Sequence, residues 1–461
     1  MRSWLLAVAL VGCAQDRSSV HGSYVYRYPD GSTVPVDLSA YTFQAYVSDG
    51  TGFTAYPDSP VAGTTDGTFE IRDVPDGPVL VRRSFPGYFG QFSAYDDHEV
   101  HETWDVLGRP DAVPSGSSTR LRLNANGLAA WRPADRLVLD CFGNASEIAD
   151  PQLTPSLAAN ATEIHASLAW GNAYSWGPSG GAYLMDPAAG DALLVTHETA
   201  HTTGDLTTWS LTQTLDATAP AQVNGQSSTV TGAFADVEPT ARLTATVRGD
   251  ALAPTLPPGT LPGELRVSLL VGPGTEHGAQ LGPELAALWS SNATAAATAT
   301  LHYGNPFDPS WTPLVTATYA ATRPVHAPGR GVSPVSYAAF SETRPLDGDS
   351  YLFQPLSPLG TVTIDGAPLD DGAVTVPHSQ SVFVDFAQPP EGTSGRLIVW
   401  EPESLSQAAY VTFDRAPVEL PPDIFENGGS YALQIEVTAD DGNGRVRTAG
   451  TYTDLFTITA Q

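Results

Sequence analysis

At 461 residues the chain is long enough for about three domains of the usual size, and its 41% hydrophobic content can build their cores. The formal net charge is −29, and all 21 basic residues are arginine, scattered without a cluster. This excludes nucleic acid as a partner, because phosphate contacts need grouped Lys or Arg. The 43 glycines and 39 prolines suit many short strands joined by tight turns rather than helical bundles. The expected fold class is therefore all-β, as tandem β-sandwich modules.

Arg2 gives the N-terminus a minimal positive charge, and residues 4–11 (WLLAVALV) form an apolar run. That run is far below the roughly 18–20 residues of a membrane-spanning helix. It ends in Leu10-Val11-Gly12-Cys13, which resembles the bacterial lipobox. The resemblance implies that residues 1–12 are a lipoprotein signal peptide and that the Cys13 thiol is acylated. The lipid bilayer is then a partner, since each buried CH₂ contributes about 0.8 kcal/mol. Ala14, where an aspartate would signal inner-membrane retention, implies the outer membrane, facing periplasm or surface. The alternative is an ordinary signal peptide followed by a chance cysteine. Cleavage leaves Cys141 as the only thiol besides Cys13, so no intrachain disulfide is expected. Cys141 sits in the apolar run 137–142 and reads as a buried, inert thiol.

Residues 13–22 are polar and read as a tether. A first module is expected over 23–126, with strands at 24–26, 42–47, 68–71 and 79–82 by β-branched and aromatic content. Asp30-Gly31, Asp49-Gly50, Asp66-Gly67 and Asp76-Gly77 supply hairpin turns between them. The run Asp66-Gly67-Thr68-Phe69-Glu70-Ile71-Arg72-Asp73-Val74-Pro75-Asp76-Gly77 resembles the carboxypeptidase-regulatory-like, transthyretin-like sandwich. That resemblance implies a fold and no peptidase activity, because the module is an accessory domain in that family.

The central region, 127–355, reads as one large β region or two small ones. Strands are expected at 136–142, 191–201, 207–215 and 243–248, and one helix at 283–289 (PELAALW), where Pro comes early among good helix formers. In the C-terminal part, 356–461, strands are expected at 362–364, 381–386, 396–400, 410–413 and 431–437. Trp400 in mid-sequence and the late Gly429-Ser430-Tyr431-Ala432-Leu433-Gln434-Ile435 stretch resemble a fibronectin-III or immunoglobulin-type sandwich. Without the disulfide, only the sandwich class carries over.

The sharpest chemical motif is His197-Glu198-Thr199-Ala200-His201. On a helix the two histidines could bind Zn²⁺, with Glu198 activating the bound water. Against this, Thr207 stands where a metzincin would place its third ligand, no methionine follows Met185, and the segment is rich in threonine, a strand former. On a strand the two histidines would share a face with Leu193 and Val195. Gly177-Pro178-Ser179-Gly180-Gly181 carries the letters of a nucleophile elbow, but a Gly/Pro loop precedes the serine and a predicted strand follows it. Asp96-Asp97-His98-Glu99-Val100-His101-Glu102 groups metal-binding side chains, with a solvated acidic edge as the plain alternative. Asp440-Asp441-Gly442-Asn443-Gly444 fits a hairpin turn better than a calcium loop, because no glutamate closes a twelve-residue loop.

Trp170, Tyr174 and Trp176 lie in a Gly-rich stretch, where aromatics either stack on sugars or plug the end of a sandwich. The expected function is a lipid-anchored envelope protein displaying binding or structural modules to a glycan or an envelope protein. No catalysis and no cofactor are expected; calcium or zinc enters only through the motifs above. The alternative is a zinc metallopeptidase built on His197, Glu198 and His201.

Overall fold

The computed structural model describes residues 17–460 except 49–51, 86–89, 96–97, 150, 176, 179–180, 273–281, 328–330, 354–355, 370–372, 377–380, 391, 393, 402–405, 422–423 and 426–427. The fold is all-β. Among the described residues, α-helix is limited to the single turn Gly249–Leu252.

Four two-layer sandwiches follow one another along the chain. In the first, Arg17–Arg27 is the centre of a small sheet. It pairs antiparallel with Thr33–Pro35 and Thr68–Pro75 on one side and parallel with Glu99–Asp105 on the other. The core includes Val20, Tyr24, Phe43, Phe69 and Ile71. Phe43 and Phe69 stack with ring centroids 3.9 Å apart. Gly22 permits this, since a Cβ there would stand 1.8 Å from the Phe69 ring. Residues 17–22, expected as tether, belong to this strand instead. They pair with Thr68–Pro75, His21 and Gly22 pair also with Glu99–Asp105, and Val20 is fully buried. The expected Asp-Gly turns form at Gly31 and Gly67, whose φ values of +81° and +79° suit glycine; Gly50 lies outside the described residues.

The central region, joined by residues 120–126, which were expected in the first module, forms two sandwiches with separate cores. One is built on Arg120–Asn126, between Ile164–Leu168 and Ser227–Ala233, with Leu121, Leu139, Trp170 and Val195 in its core. The other is built on Ala241–Arg248, between Ala296–Tyr303 and Ser350–Phe353, with Leu243, Val267, Leu288 and Phe353 inside. The expected helix at 283–289 is the strand Glu284–Ser290. That strand pairs with Leu206–Thr218 and with Leu261–Gly272 and is buried along almost its whole length. Two-sided pairing and burial on both faces override a weak helix preference. The fourth sandwich sets Thr363–Ile364, Val382–Asp385 and Val418–Leu420 against the strands Ser394–Glu401, Ser406–Phe413 and Ser430–Asp440. The turn between Ser430–Asp440 and Val446–Tyr452 is the expected hairpin, with the Gly442 amide donating to Asp440 Oδ1 at 2.8 Å.

The second layer of all four sandwiches is one continuous hydrogen-bonded sheet of 21 strands. From the first sandwich it passes to the fourth where Gly90–Tyr95 pairs with Ser406–Phe413. It passes to the third where Val446–Tyr452 pairs with Gly331–Pro345. It reaches the second where Glu284–Ser290 pairs with Leu206–Thr218, which continues into the hairpin with Ala192–Thr203. The spatial order is thus first, fourth, third, second. Side chains cross the same joints: Tyr46, Phe53 and Leu80 of the first sandwich enter the fourth core.

Candidate functional site

The His-Glu-x-x-His segment lies in the strand Ala192–Thr203, not in a helix. Four residues of strand span about 13 Å, so the two imidazoles cannot share a metal that takes nitrogen at about 2 Å. Their surroundings differ as well. His197 is fully buried against the Trp131 ring. Its Nδ1 lies 3.2 Å from Gln213 Oε1 and its Nε2 lies 3.4 Å from Asp135 Oδ2. His201 is exposed near the hairpin tip. The zinc peptidase geometry is therefore absent, and strand pairing on both sides of the threonine-rich segment is the reason.

A bulge in the partner strand gives Glu198 a third environment. His197 pairs with Gln213 but Glu198 pairs with Leu211, so Thr212 is the extra residue. His197 and Gln213 face the second core. Glu198 and Leu211 face the third. There the Arg136 guanidinium lies 3.6 Å from Glu198 and 3.1 Å from Glu284, which Arg266 also contacts at 3.0 Å. Arg136 stacks over Trp209 at 3.6 Å. This arginine–carboxylate chain ties the second sandwich to the third. Beside it Asp140 is buried, with its Oδ2 lacking a hydrogen-bond partner among the described residues. Burial first, then Glu147 and Glu198, push its carboxyl well above the usual range. Burial also pushes Asp135 up, but the Ala200 amide and Arg132 outweigh it and hold that carboxyl low.

The other sequence candidates are dispersed. Trp170 is fully buried in the second core and donates from Nε1 to the Tyr183 carbonyl at 2.9 Å, so it plugs the sandwich instead of offering a platform for sugars. Tyr174 is 57% exposed on the strand Tyr174–Ser175. Trp176, Ser179, Gly180, Asp96, Asp97 and Cys13 lie outside the described residues. His98 is a structural residue at φ +60°, bonded to Ser18 Oγ at 2.6 Å and the Gly77 carbonyl at 2.9 Å. His101 instead meets Ser23 Oγ at 2.7 Å. Cys141 is buried, and burial raises its thiol pKa far enough to keep it protonated and inert. Among the described residues, no group of three or more His, Cys, Asp or Glu is placed to hold a metal ion.

A cleft that sequence reasoning missed lies where the third and fourth sandwiches meet. It encloses about 240 Å³ and is lined by Leu252 and Leu256, by Tyr319 and Arg323, and by Leu359 and Val362, with Tyr452 alongside. Tyr319, Arg323 and Tyr452 are each at most 6% exposed. One signal was legible: Tyr319, Ala321, Arg323 and Val325 alternate in the strand Thr312–Ala327 and are all buried. An arginine buried in an apolar register is one that has a partner inside.

These observations define a class: an all-β protein of four sandwiches sharing one sheet. No family model matches the chain and no curated protein matches it. Among solved structures, it is similar to a Ca²⁺-stabilized adhesin that helps an Antarctic bacterium bind ice, at 11% identity over 95% of this chain and 99% of that one, with a TM-score of 0.16. It is also similar to BcpA, the major pilin subunit of Bacillus cereus, at 8% identity over 96% and 99%, with a TM-score of 0.15. Superpositions this poor define no common fold, and nothing about partners follows from them.

Proposed function

We propose that the chain is a lipid-anchored cell-envelope protein that works by display and binding, without catalysis. The observation that carries this reading is the continuous sheet. Its joints are hydrogen-bonded ladders, not flexible linkers, so the four sandwiches form one stiff body. Such a body suits holding a binding surface away from a membrane. The residues that would have supported catalysis are occupied in structural roles: His197 braces the second core and Glu198 belongs to the arginine–carboxylate chain. Cys13 supplies the anchor in this reading, and a glycan or an envelope protein is the partner. In a bacterial host, the full chain should sediment with membranes and take up labelled palmitate. Cys13→Ala should abolish labelling and release the protein into the soluble fraction. An unaltered chain that stays soluble and unlabelled would remove the anchor from the account.

A further inference from the structure

We propose that Asn443, at the tip of the hairpin between Ser430–Asp440 and Val446–Tyr452, is a site of spontaneous deamidation, and that its conversion loosens the joint between the third and fourth sandwiches. The inference does not depend on how the chain is anchored. Asparagine followed by glycine is the pair in which the next amide nitrogen meets least hindrance on its way to the side-chain carbonyl. The chain has four such pairs, at Asn126, Asn224, Asn427 and Asn443. Asn427 lies outside the described residues, so the structure ranks the other three.

Two of the three are held. Asn126 ends a strand, paired with Ala233, and its carbonyl accepts from the Phe234 amide at 2.9 Å. That bond fixes the peptide plane that carries the Gly127 nitrogen. Asn224 Oδ1 accepts from the Gly116 amide at 2.7 Å, and the Gly225 amide donates to Thr119 Oγ1 at 3.1 Å. Carboxamide and attacking nitrogen are both engaged there. Asn443 differs: it is exposed and stands between Gly442 and Gly444, at φ +73° and +80°. Among the described residues its side chain makes one long contact, Nδ2 donating to the Asp441 carbonyl at 3.4 Å. The Gly444 amide donates to no group among the described residues. A glycine on each side lets the backbone turn through the geometry of attack, which bulkier residues resist.

In the reaction the Gly444 nitrogen, having lost its proton, bonds to Asn443 Cγ; the Cγ–Nδ2 bond breaks and ammonia leaves. Water then opens the succinimide ring at either carbonyl, giving aspartate or isoaspartate, with no oxidant or reductant. The turn makes this consequential. Asp441 Oδ1 accepts from the Asn443 amide at 2.9 Å and from the Arg445 amide at 3.3 Å. So held, Arg445 places Nε 2.8 Å from Glu342 Oε1, a fully buried carboxylate of the third sandwich. Isoaspartate lengthens the backbone by a methylene and upsets that spacing. Either product adds a carboxylate to the turn, where it competes for the Arg445 guanidinium. Glu342 keeps Arg344 at 3.3 Å but loses this tie across the joint.

The test is to age the purified full chain in detergent at mildly alkaline pH and to follow the asparagines by peptide mapping that separates aspartate from isoaspartate. Asn443 should convert several-fold faster than Asn126 and Asn224. In the urea-unfolded chain the three should convert at similar rates; the same spread there as in the folded chain would overturn the ranking by structure. Hydrogen exchange at Glu342–Thr343 and at their partners Val446–Arg447 should speed up several-fold in the aged chain. It should stay unchanged in aged Asn443→Ser, which keeps the exposed turn but has no amide to lose. An Asn443 that stays intact, or converts no faster than Asn126 and Asn224 in the folded chain, would overturn the site. Conversion that leaves exchange at the joint unaltered would overturn the coupling.

Discussion

At His197 an imidazole with 1% of its side chain exposed is held between Gln213 and Asp135. Removing it leaves a cavity and unsatisfied buried groups, so His197→Ala should cost about 2–4 kcal/mol. His201→Ala, at an exposed site, should stay within about 0.5 kcal/mol. Urea denaturation compares the two; equal losses would mean that the histidines act as a pair after all. Asp140 gives a pH signature. Its folded pKa is raised above the ordinary 3.8, so the folded state holds the proton more tightly than the unfolded chain. Its contribution is fully present below the unfolded value and is lost as pH rises through the folded one. Asp140→Asn keeps the neutral form at every pH. The variant should match the wild type near pH 3 and gain on it from about pH 4 upward, by at most about 1.4 kcal/mol per pH unit. A variant that loses ground at neutral pH would show that the Asp140 charge is stabilising. The motif letters at 197–201 were legible in the sequence, but Asp135 and Gln213 were not, because tertiary pairing alone brings them to His197.

The strand Leu206–Thr218 carries the next level of organisation. Leu211, Gln213, Leu215 and Ala217 alternate and read as one face. The bulge at Thr212 divides them, sending Leu211 to the third core and Leu215 to the second. One hairpin thereby serves two sandwiches. Leu211→Ala and Leu215→Ala should each cost about 2–5 kcal/mol. Hydrogen exchange should report the damage in different places: Ala241–Arg248 for Leu211 and Arg120–Asn126 for Leu215. Damage in the same sandwich for both would mean that the bulge does not divide the faces. Patterning in β-branched and aromatic content made strands such as Thr42–Ser48, Thr68–Pro75 and Ser430–Asp440 legible. The same patterning hides a bulge, and the run at 283–289 misled because helix formers can fill a strand buried on both faces.

Across the whole molecule, composition and turn chemistry were enough to read an all-β chain of sandwiches. They could not reveal that the sandwiches share a sheet, because the partner of an edge strand is not written in that strand. Gly331–Pro345 must meet Val446–Tyr452 across about a hundred intervening residues. The same joint forms the cleft, with Tyr319 and Arg323 from one side and Tyr452 from the other. It also carries a small core of its own, in which Ala321, Val325 and Tyr337 pack with Ala432 and Tyr452. A joint with both a ladder and a core should open only when its neighbours do.

Native-state hydrogen exchange at that joint tests the single stiff body most directly. The amides of Phe340–Thr343 and of their partners Val446–Ala449 should be protected as strongly as those of Leu243–Val247 inside the third sandwich. Joint amides that exchange orders of magnitude faster than the sandwich interiors would mean that the sandwiches move independently, and the account would fail.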